Sequence, residues 1–223
     1  MRDILELFIS PEECAKEILN TKGERTIRKA LITIAKVVVL IGCIMGLSFK
    51  TSLPNILGLL SKTNPDIVNQ INELSATNLG AFSVVVTLFL IILLYCATIL
   101  SALIMAVLLF VIKAIMGGEA TFKQLFRVTL YSQVIYSSIM LVTQVCTLVA
   151  SLTVAGVIAS FIILIIGIFQ FWYLIFIVVG YNIVNKVSFL KSILAAFMMQ
   201  GVLWGVQLGL LLLSGVAMPG LVS

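Results

Sequence analysis

The side chains that could carry chemistry in this sequence are few, and their types limit what that chemistry could be. There is no histidine, which removes the commonest general base and the commonest metal ligand. No Asp or Glu lies inside a long apolar stretch, so neither a carboxylate pair nor a Ser-His-Asp set can form there. We therefore predict that the protein is not an enzyme and that it holds no metal and no cofactor.

The cysteines are the remaining reactive side chains. There are four, widely separated, and the last three lie inside apolar stretches: Cys14, Cys43, Cys96 and Cys146. This spacing indicates neither a disulfide framework nor a paired-cysteine metal motif. We interpret them as buried small apolar residues.

Amides and one lysine are the main polar groups within the apolar stretches. Gln133, Gln144 and Gln170 could line a polar path for a solute, or could hydrogen-bond between helices, as such groups usually do. Lys36 lies inside the first apolar stretch. It either extends toward the lipid headgroups or serves a function within the membrane.

Small residues recur at a spacing of four, which places them on one side of a helix and allows another backbone to approach closely. The predicted packing residues are Gly201, Gly205 and Gly209 in the last apolar stretch, and Ala97 and Ser101 in the second. The glycine stripe could contact either another helix of this chain or a second protein.

Composition places these residues in a membrane protein. The chain is 61% apolar and 10% charged, whereas soluble domains are about 45–50% apolar and about 25% charged. Apolar stretches of about 20 residues recur, each long enough to cross the hydrocarbon as a helix. The alternation that a barrel requires is absent from the sequence. We predict an all-α, polytopic membrane protein with five transmembrane helices and short interfacial amphipathic helices.

The predicted organisation has three parts: an amphipathic segment 1–29, a membrane domain 30–217 and a tail 218–223. One amphipathic helix should run from Pro11 to about Asn20 and cover the inner ends of the bundle, with an interfacial or partner-docking helix as the alternative. Another should start at Pro65, because proline suits the first helical turn. The predicted spans are about 30–49, 81–112, 129–152, 157–181 and 192–217.

Charge predicts the orientation. Of the Lys and Arg residues, six lie in the N-terminal segment, three around Gly117–Gly118 and two between Asn182 and Lys191, against two on the opposite side. By the positive-inside rule the N-terminus is cytoplasmic and the C-terminus outside, and 80–116 is one long helix. The net charge of +5 therefore indicates membrane anchoring rather than binding to nucleic acid.

The polar segment Met116–Tyr131, called the hinge below, should be cytoplasmic. Its residues of interest are Gly117, Gly118, Lys123, Arg127 and Tyr131. The glycine pair lacks the GxxxxGK[ST] context of a phosphate-binding loop, so we interpret it as a turn.

Four features resemble the Yip family, named for interaction with Ypt/Rab GTPases, and specifically its prokaryotic members. They are Phe8-Ile9-Ser10-Pro11-Glu12-Glu13; Gly117-Gly118 followed by Thr121-Phe122-Lys123-Gln124-Leu125-Phe126-Arg127-Val128 and Tyr131; Trp172 with Gly180; and Val187-Ser188 with Lys191-Ser192. The resemblance implies five spans and a cytosolic N-terminus. Ile135 departs from it, because the family often has proline there, and the long N-terminal region of eukaryotic members is missing, so Rab binding is not carried over.

The sequence thus favours a Yip-like, non-catalytic scaffold or adaptor in a prokaryotic plasma membrane. Its partners would be membrane lipids and other membrane proteins, or a second copy of itself, without nucleic acid. Two alternatives remain open: a permease for small solutes or lipids, and an accessory subunit of a larger transporter or peptide-resistance complex.

Overall fold

The described part of the protein is helical throughout. A computed structural model describes residues 8–20, 23–63, 65–152, 167 and 171–216. The helices are α1 (Pro11–Asn20), α2 (Gly23–Thr63), α3 (Pro65–Met116), α4 (Phe122–Leu152), α5 (Trp172–Asn185) and α6 (Phe189–Val216).

Four helical segments are long and apolar enough to cross a membrane: Gly23–Ser48, Ser83–Met116, Phe122–Val149 and Phe189–Gly209. Helix α5 is apolar but shorter, and it covers the last part of the predicted span 157–181. Most of the rest of that span and the tail 218–223 lie outside the described residues. The predicted fold class, an all-α polytopic membrane protein, is confirmed.

The predicted helix starts at proline are confirmed for α1 and α3. In α1 the Ser10 carbonyl accepts the first helical hydrogen bond, at 3.0 Å from the Cys14 nitrogen. Ala15 and Ile18 are buried on one face of α1. On its exposed face Lys16 donates to Glu12 across one turn, and this hydrogen bond lowers the pKa of the Glu12 carboxyl.

Helix α3 is 52 residues long and unbroken. The prediction of one long helix over 80–116 is therefore confirmed, whereas the separate surface helix starting at Pro65 was wrong because that segment continues into the span. Likewise, α2 does not end near the predicted limit of its span but runs to Thr63. Hydropathy shows where a helix leaves the apolar environment, which need not be where the helix ends.

One compact unit comprises Met1–Ile27, Ser101–Ser132 and Tyr173–Ser223. The described core residues of this unit come from the ends of several helices that are distant in sequence. Among those with 0% exposure are Ala102, Ala106, Leu109, Leu125, Leu130, Phe176, Ile177, Tyr181, Ala195 and Met199. The hinge therefore lies within a packed unit and not in a free loop.

The second unit comprises Arg28–Leu100 and Gln133–Trp172. Within it, a Cβ built on Gly42 would collide with Ile91, and one on Gly46 would collide with Thr87. An advance of four residues along α2 thus matches a retreat of four along α3, so the two helices pack antiparallel. The glycines allow this close approach.

The cysteines are less buried than predicted. Cys43 and Cys96 are exposed, and Cys14 and Cys146 are intermediate. The prediction of burial was wrong for Cys43 and Cys96, because a lipid-facing position accepts the same apolar side chains as a core position. None of the four cysteines forms a disulfide.

Candidate functional site

The hinge begins with a glycine turn, as predicted. Gly117 has φ +80° and Gly118 has φ +150°, both in the region that favours glycine. The Gly117 N–H donates to the Lys113 carbonyl at 2.9 Å, which completes the last turn of α3. The chain can then reverse and start α4 with only five residues between the two helices.

Asn185, at the end of α5, fixes this turn in place. Its Oδ1 accepts the Ala120 N–H at 3.2 Å, and its Nδ2 donates to the Tyr181 carbonyl at 3.3 Å. Asn185 is 2% exposed and Ala120 is 1% exposed. A Cβ on Gly118 would overlap the Asn185 amide, so the second glycine is needed both for its φ angle and for space.

Helix α4 starts with a capping box. The Thr121 N–H donates to Gln124 Oε1 at 2.8 Å, and the Gln124 N–H points back to Thr121 Oγ1 at 3.4 Å. Threonine at the cap and glutamine three residues later satisfy N–H groups that a helix start leaves without partners. The same Thr121-Phe122-Lys123-Gln124 sequence that carried part of the family resemblance thus has a local structural reason.

Arg127 joins the hinge to the N-terminal helix. Its Nη1 donates to the Ile18 carbonyl at 3.4 Å and to the Leu19 carbonyl at 3.3 Å. These carbonyls lie in the last turn of α1, which has no basic residue of its own. A cation at a helix C-terminus stabilises both the open carbonyls and the helix dipole.

Two further hinge residues lie near the start of α2. Tyr131 donates its hydroxyl hydrogen to the Thr26 carbonyl at 3.4 Å. A Cβ on Gly23 would be 3.1 Å from Cε of Lys123 and 2.8 Å from Nη2 of Arg127. The structure therefore brings together the predicted residues Lys123, Arg127 and Tyr131 around the junction of α1 and α2.

Two lysines also donate to backbone carbonyls in this region. Lys113 Nζ is 2.7 Å from the Ala120 carbonyl oxygen and 5.2 Å from the centre of the Phe110 ring. Lys191 Nζ is 3.4 Å from the carbonyl oxygen of Met116, the last residue of α3. The basic residues predicted to mark one membrane side thus also hold together the ends of helices.

One exposed ion pair connects the hinge to the α5–α6 loop, with Lys186 Nζ 2.7 Å from Glu119 Oε2. The hydrogen bond to Lys186 lowers the pKa of Glu119, and the same contact raises the pKa of Lys186. The Glu119 contribution to stability is lost as pH falls through its lowered pKa, and the Lys186 contribution as pH rises through its raised pKa. The pair therefore stabilises at neutral pH, and salt weakens it.

The predicted packing residues on α3 have different surroundings. Ala97 is exposed and Ser101 is intermediate, whereas the next small pair, Ala102 and Ala106, is fully buried. The Ala102 carbonyl accepts a 2.9 Å hydrogen bond from Thr129 Oγ1 of α4. The described contact between α3 and α4 is thus made at Ala102, in a second pair of small residues that lies five positions beyond Ala97 and Ser101.

The glycine stripe of α6 is open. No described residue lies within 4 Å of a Cβ built on Gly201, Gly205 or Gly209. The large side chains beside it, Trp204 and Leu208, are 57% and 63% exposed. Within the described chain, α6 leaves this surface uncovered.

The two described amides of the predicted polar path differ in burial. Gln133 is buried and Gln144 is intermediate, while Gln170 lies outside the described residues. A different amide, Gln200, accepts a hydrogen bond from the Tyr173 hydroxyl at 2.7 Å. That contact links α5 to α6 and follows the helix-to-helix interpretation of such groups.

The arrangement as a whole binds helix ends and does not activate a nucleophile. Among the described residues, no group of three or more potential metal ligands is close enough to hold an ion. The hinge contacts are hydrogen bonds to backbone carbonyls, one capping box and one ion pair. Chemically, this arrangement can position the N-terminal helix and the α5–α6 loop.

Sequence reasoning missed Asn185 and the contact between α4 and α5. A Cβ on Gly180 would be 2.6 Å from Cγ1 of Val128, so the two helices touch at the glycine. Gly180 and Val128 each appear in the family resemblance, which was a signal for this contact. A single asparagine at a helix end gives no comparable signal, because its partner is 65 residues away.

Comparison with known proteins identifies the family. The family model described as "Yip1 domain" matches residues 5–213, which include α1 to α5 and all but the last three residues of α6. Comparisons with curated proteins and with solved structures gave no match. The family match covers nearly the whole chain and agrees with the resemblance carried by the hinge and the α5–α6 loop. This integral membrane protein therefore belongs to the Yip1 domain family.

Proposed function

We propose that this Yip1-family protein is a scaffold or adaptor in the membrane, without catalysis, that acts by docking helices of partner membrane proteins or of a second copy. The observation that carries this proposal is the open glycine stripe on α6. Elsewhere in the chain, helical glycines such as Gly42 and Gly180 are filled by a neighbouring helix. At Gly201, Gly205 and Gly209, by contrast, no described residue lies within 4 Å of an added Cβ. The stripe therefore offers the same kind of close contact to a separate helix.

The hinge supports this function by holding a second surface for partners. Arg127 fixes the end of α1, and the face of α1 away from the core carries Glu12, Glu13 and Lys16, all exposed. In the proposed orientation this surface faces the cytoplasm of a prokaryotic cell, and the C-terminus lies outside the plasma membrane. The excess of Lys and Arg on the hinge side supports that orientation.

Replacing Gly205 with leucine tests the proposed docking surface. The new side chain would hold a partner backbone away from α6, so an assembly seen in mild detergent or native lipid should dissociate, and Gly205→Ala should weaken it less. The measurement is the assembly mass by light scattering, together with the proteins that co-purify from native lipid.

Val206→Leu is the matched control, because it adds bulk to α6 at an exposed position beside the stripe. It should leave the assembly intact. An assembly that survives Gly205→Leu unchanged would exclude the stripe as the interface.

A further inference from the structure

Lys36 is a cation within a membrane span that the described chain does not neutralise. It lies in the Gly23–Ser48 span of α2, and its side chain is exposed. No described residue forms a hydrogen bond or an ion pair with it. The sequence has no Asp or Glu between Glu24 and Asp66, so α2 itself supplies no counter-charge.

The surface beside Lys36 is an apolar depression. It has a volume of about 470 Å³ and is lined by Ala35, Lys36, Val39 and Leu40. Val39 and Leu40 are 44% and 52% exposed. The depression itself is lined by apolar atoms, those of the Lys36 stem included, and so suits an acyl chain. The ammonium group at the end of the same lysine side chain supplies the positive charge that an anionic headgroup requires.

The direction of the lysine side chain agrees with this match. In an α-helix the Cα–Cβ bond tilts toward the N-terminus, so the Lys36 side chain starts out toward the end of α2 that carries Arg28 and Lys29. Lys29 is seven residues away, about 10 Å along the axis at 1.5 Å per residue. A flexible lysine can cover a large part of this distance and bring its ammonium group toward the headgroup level.

We propose that this α2 depression binds one anionic phospholipid, with its phosphate held by Lys36 and an acyl chain lying against Val39 and Leu40. The inner leaflet would supply the lipid, and this clause rests on the orientation proposed above. A carboxylate from a partner helix is the other source of negative charge. It is less suited because an acidic side chain in the hydrocarbon is costly, whereas a phosphate lies at the headgroups already and its acyl chain fills the depression.

Native mass spectrometry of the delipidated full chain tests the site, with phosphatidylglycerol and phosphatidylcholine of the same acyl chains as probes. The wild type should retain phosphatidylglycerol preferentially. Lys36→Gln should reduce its affinity about fivefold, the factor for about 1 kcal/mol per basic residue near the membrane surface. Lys16→Gln, which removes the same charge from the exposed face of α1, should have no effect.

Val39→Trp provides a second test, which keeps the Lys36 charge. It fills the depression and should lower phosphatidylglycerol binding even if Lys36→Gln fails to fold. Equal retention of the two lipids by the wild type, or unchanged binding by both variants, would overturn the proposal. So would loss of a co-purifying protein in Lys36→Gln with lipid binding intact, which would assign the charge to a partner carboxylate. Delipidated protein in detergent has no leaflets, so the result does not depend on the orientation or on the α6 interface.

Discussion

At the scale of single residues, Asn185 is the most demanding position in the hinge. It is buried, and its amide connects the Ala120 N–H to the Tyr181 carbonyl. The amide is hard to replace, because the buried Ala120 N–H would then lack an acceptor and retain its full desolvation cost. The amide of Asn185 thus determines which residue can stand at Gly118 and where α4 begins.

Asn185→Leu should therefore destabilise the protein by about 1–3 kcal/mol, the cost of leaving a buried donor without an acceptor. Leucine has a similar volume but cannot accept the Ala120 N–H. The free energy of unfolding can be measured by reversible denaturation in mixed detergent and SDS micelles. Gln207→Leu, at an exposed amide of α6, is the control and should change stability little; an equal effect of both substitutions would contradict this role.

At the scale of elements, α1 depends on contacts from outside itself. It has only 10 residues, and isolated helices shorter than about 12–15 residues are marginal in water. Two things hold it: the buried side chains Ala15 and Ile18, and the Arg127 hydrogen bonds to its last turn. Arg127 therefore couples the hinge to the N-terminal surface.

Arg127→Gln should loosen α1 without unfolding the spans. Loss of a cation at a helix C-terminus costs about 0.3–1 kcal/mol at exposed sites and up to about 2 kcal/mol when partly buried. The amides of Cys14 to Asn20 should then exchange with deuterium faster, while those of α4 beyond its first turns stay protected. Lys186→Gln removes the same charge from an exposed side chain that pairs with Glu119, and should leave α1 exchange unchanged; faster exchange in both variants would point to net charge instead.

The sequence was sufficient to predict the elements whose signals are local. Helix starts at Pro11 and Pro65, the glycine turn and the unbroken helix through 80–116 all follow from residue type, spacing and charge. The length of α2 beyond its apolar part could not be predicted, because the same polar residues suit a loop or a water-exposed helix. The partners of Arg127 and Asn185 could not be predicted either, since those contacts join segments 65 to 109 residues apart.

At the scale of the whole molecule, the contacts of the hinge unit constrain the number of crossings. Arg127 contacts the end of α1, so the N-terminal helix lies on the hinge side. Lys186 contacts Glu119, and Lys191 contacts Met116, so the α5–α6 loop lies there too. Helix α4 leaves the hinge as a candidate span of 28 residues, Phe122–Val149, and the chain is beside the hinge again at Lys186.

The contacts of the hinge support five crossings independently of the charge count. α2 crosses away from the hinge side and α3 crosses back to it. α4 crosses away again, the chain is back on the hinge side at the end of α5, and α6 crosses last. α5 alone, with 14 residues, is about 21 Å long, less than the roughly 30 Å of hydrocarbon. The four candidate spans and this shorter apolar helix are together consistent with the predicted count of five.

The last prediction is that the two ends of the chain lie on opposite sides of the membrane, with the N-terminus in the cytoplasm. A reporter that is active only outside the cytoplasm should be active when fused after Ser223 and inactive when fused before Met1. Fusion within the α5–α6 loop should be inactive, because Lys186 and Lys191 lie beside the hinge. If neither terminal fusion is active, the chain crosses the membrane an even number of times. The hinge contacts allow that result only if α6 does not span the membrane. Activity at the N-terminal fusion alone would keep five crossings but reverse the orientation, so the experiment separates the contact argument from the charge argument.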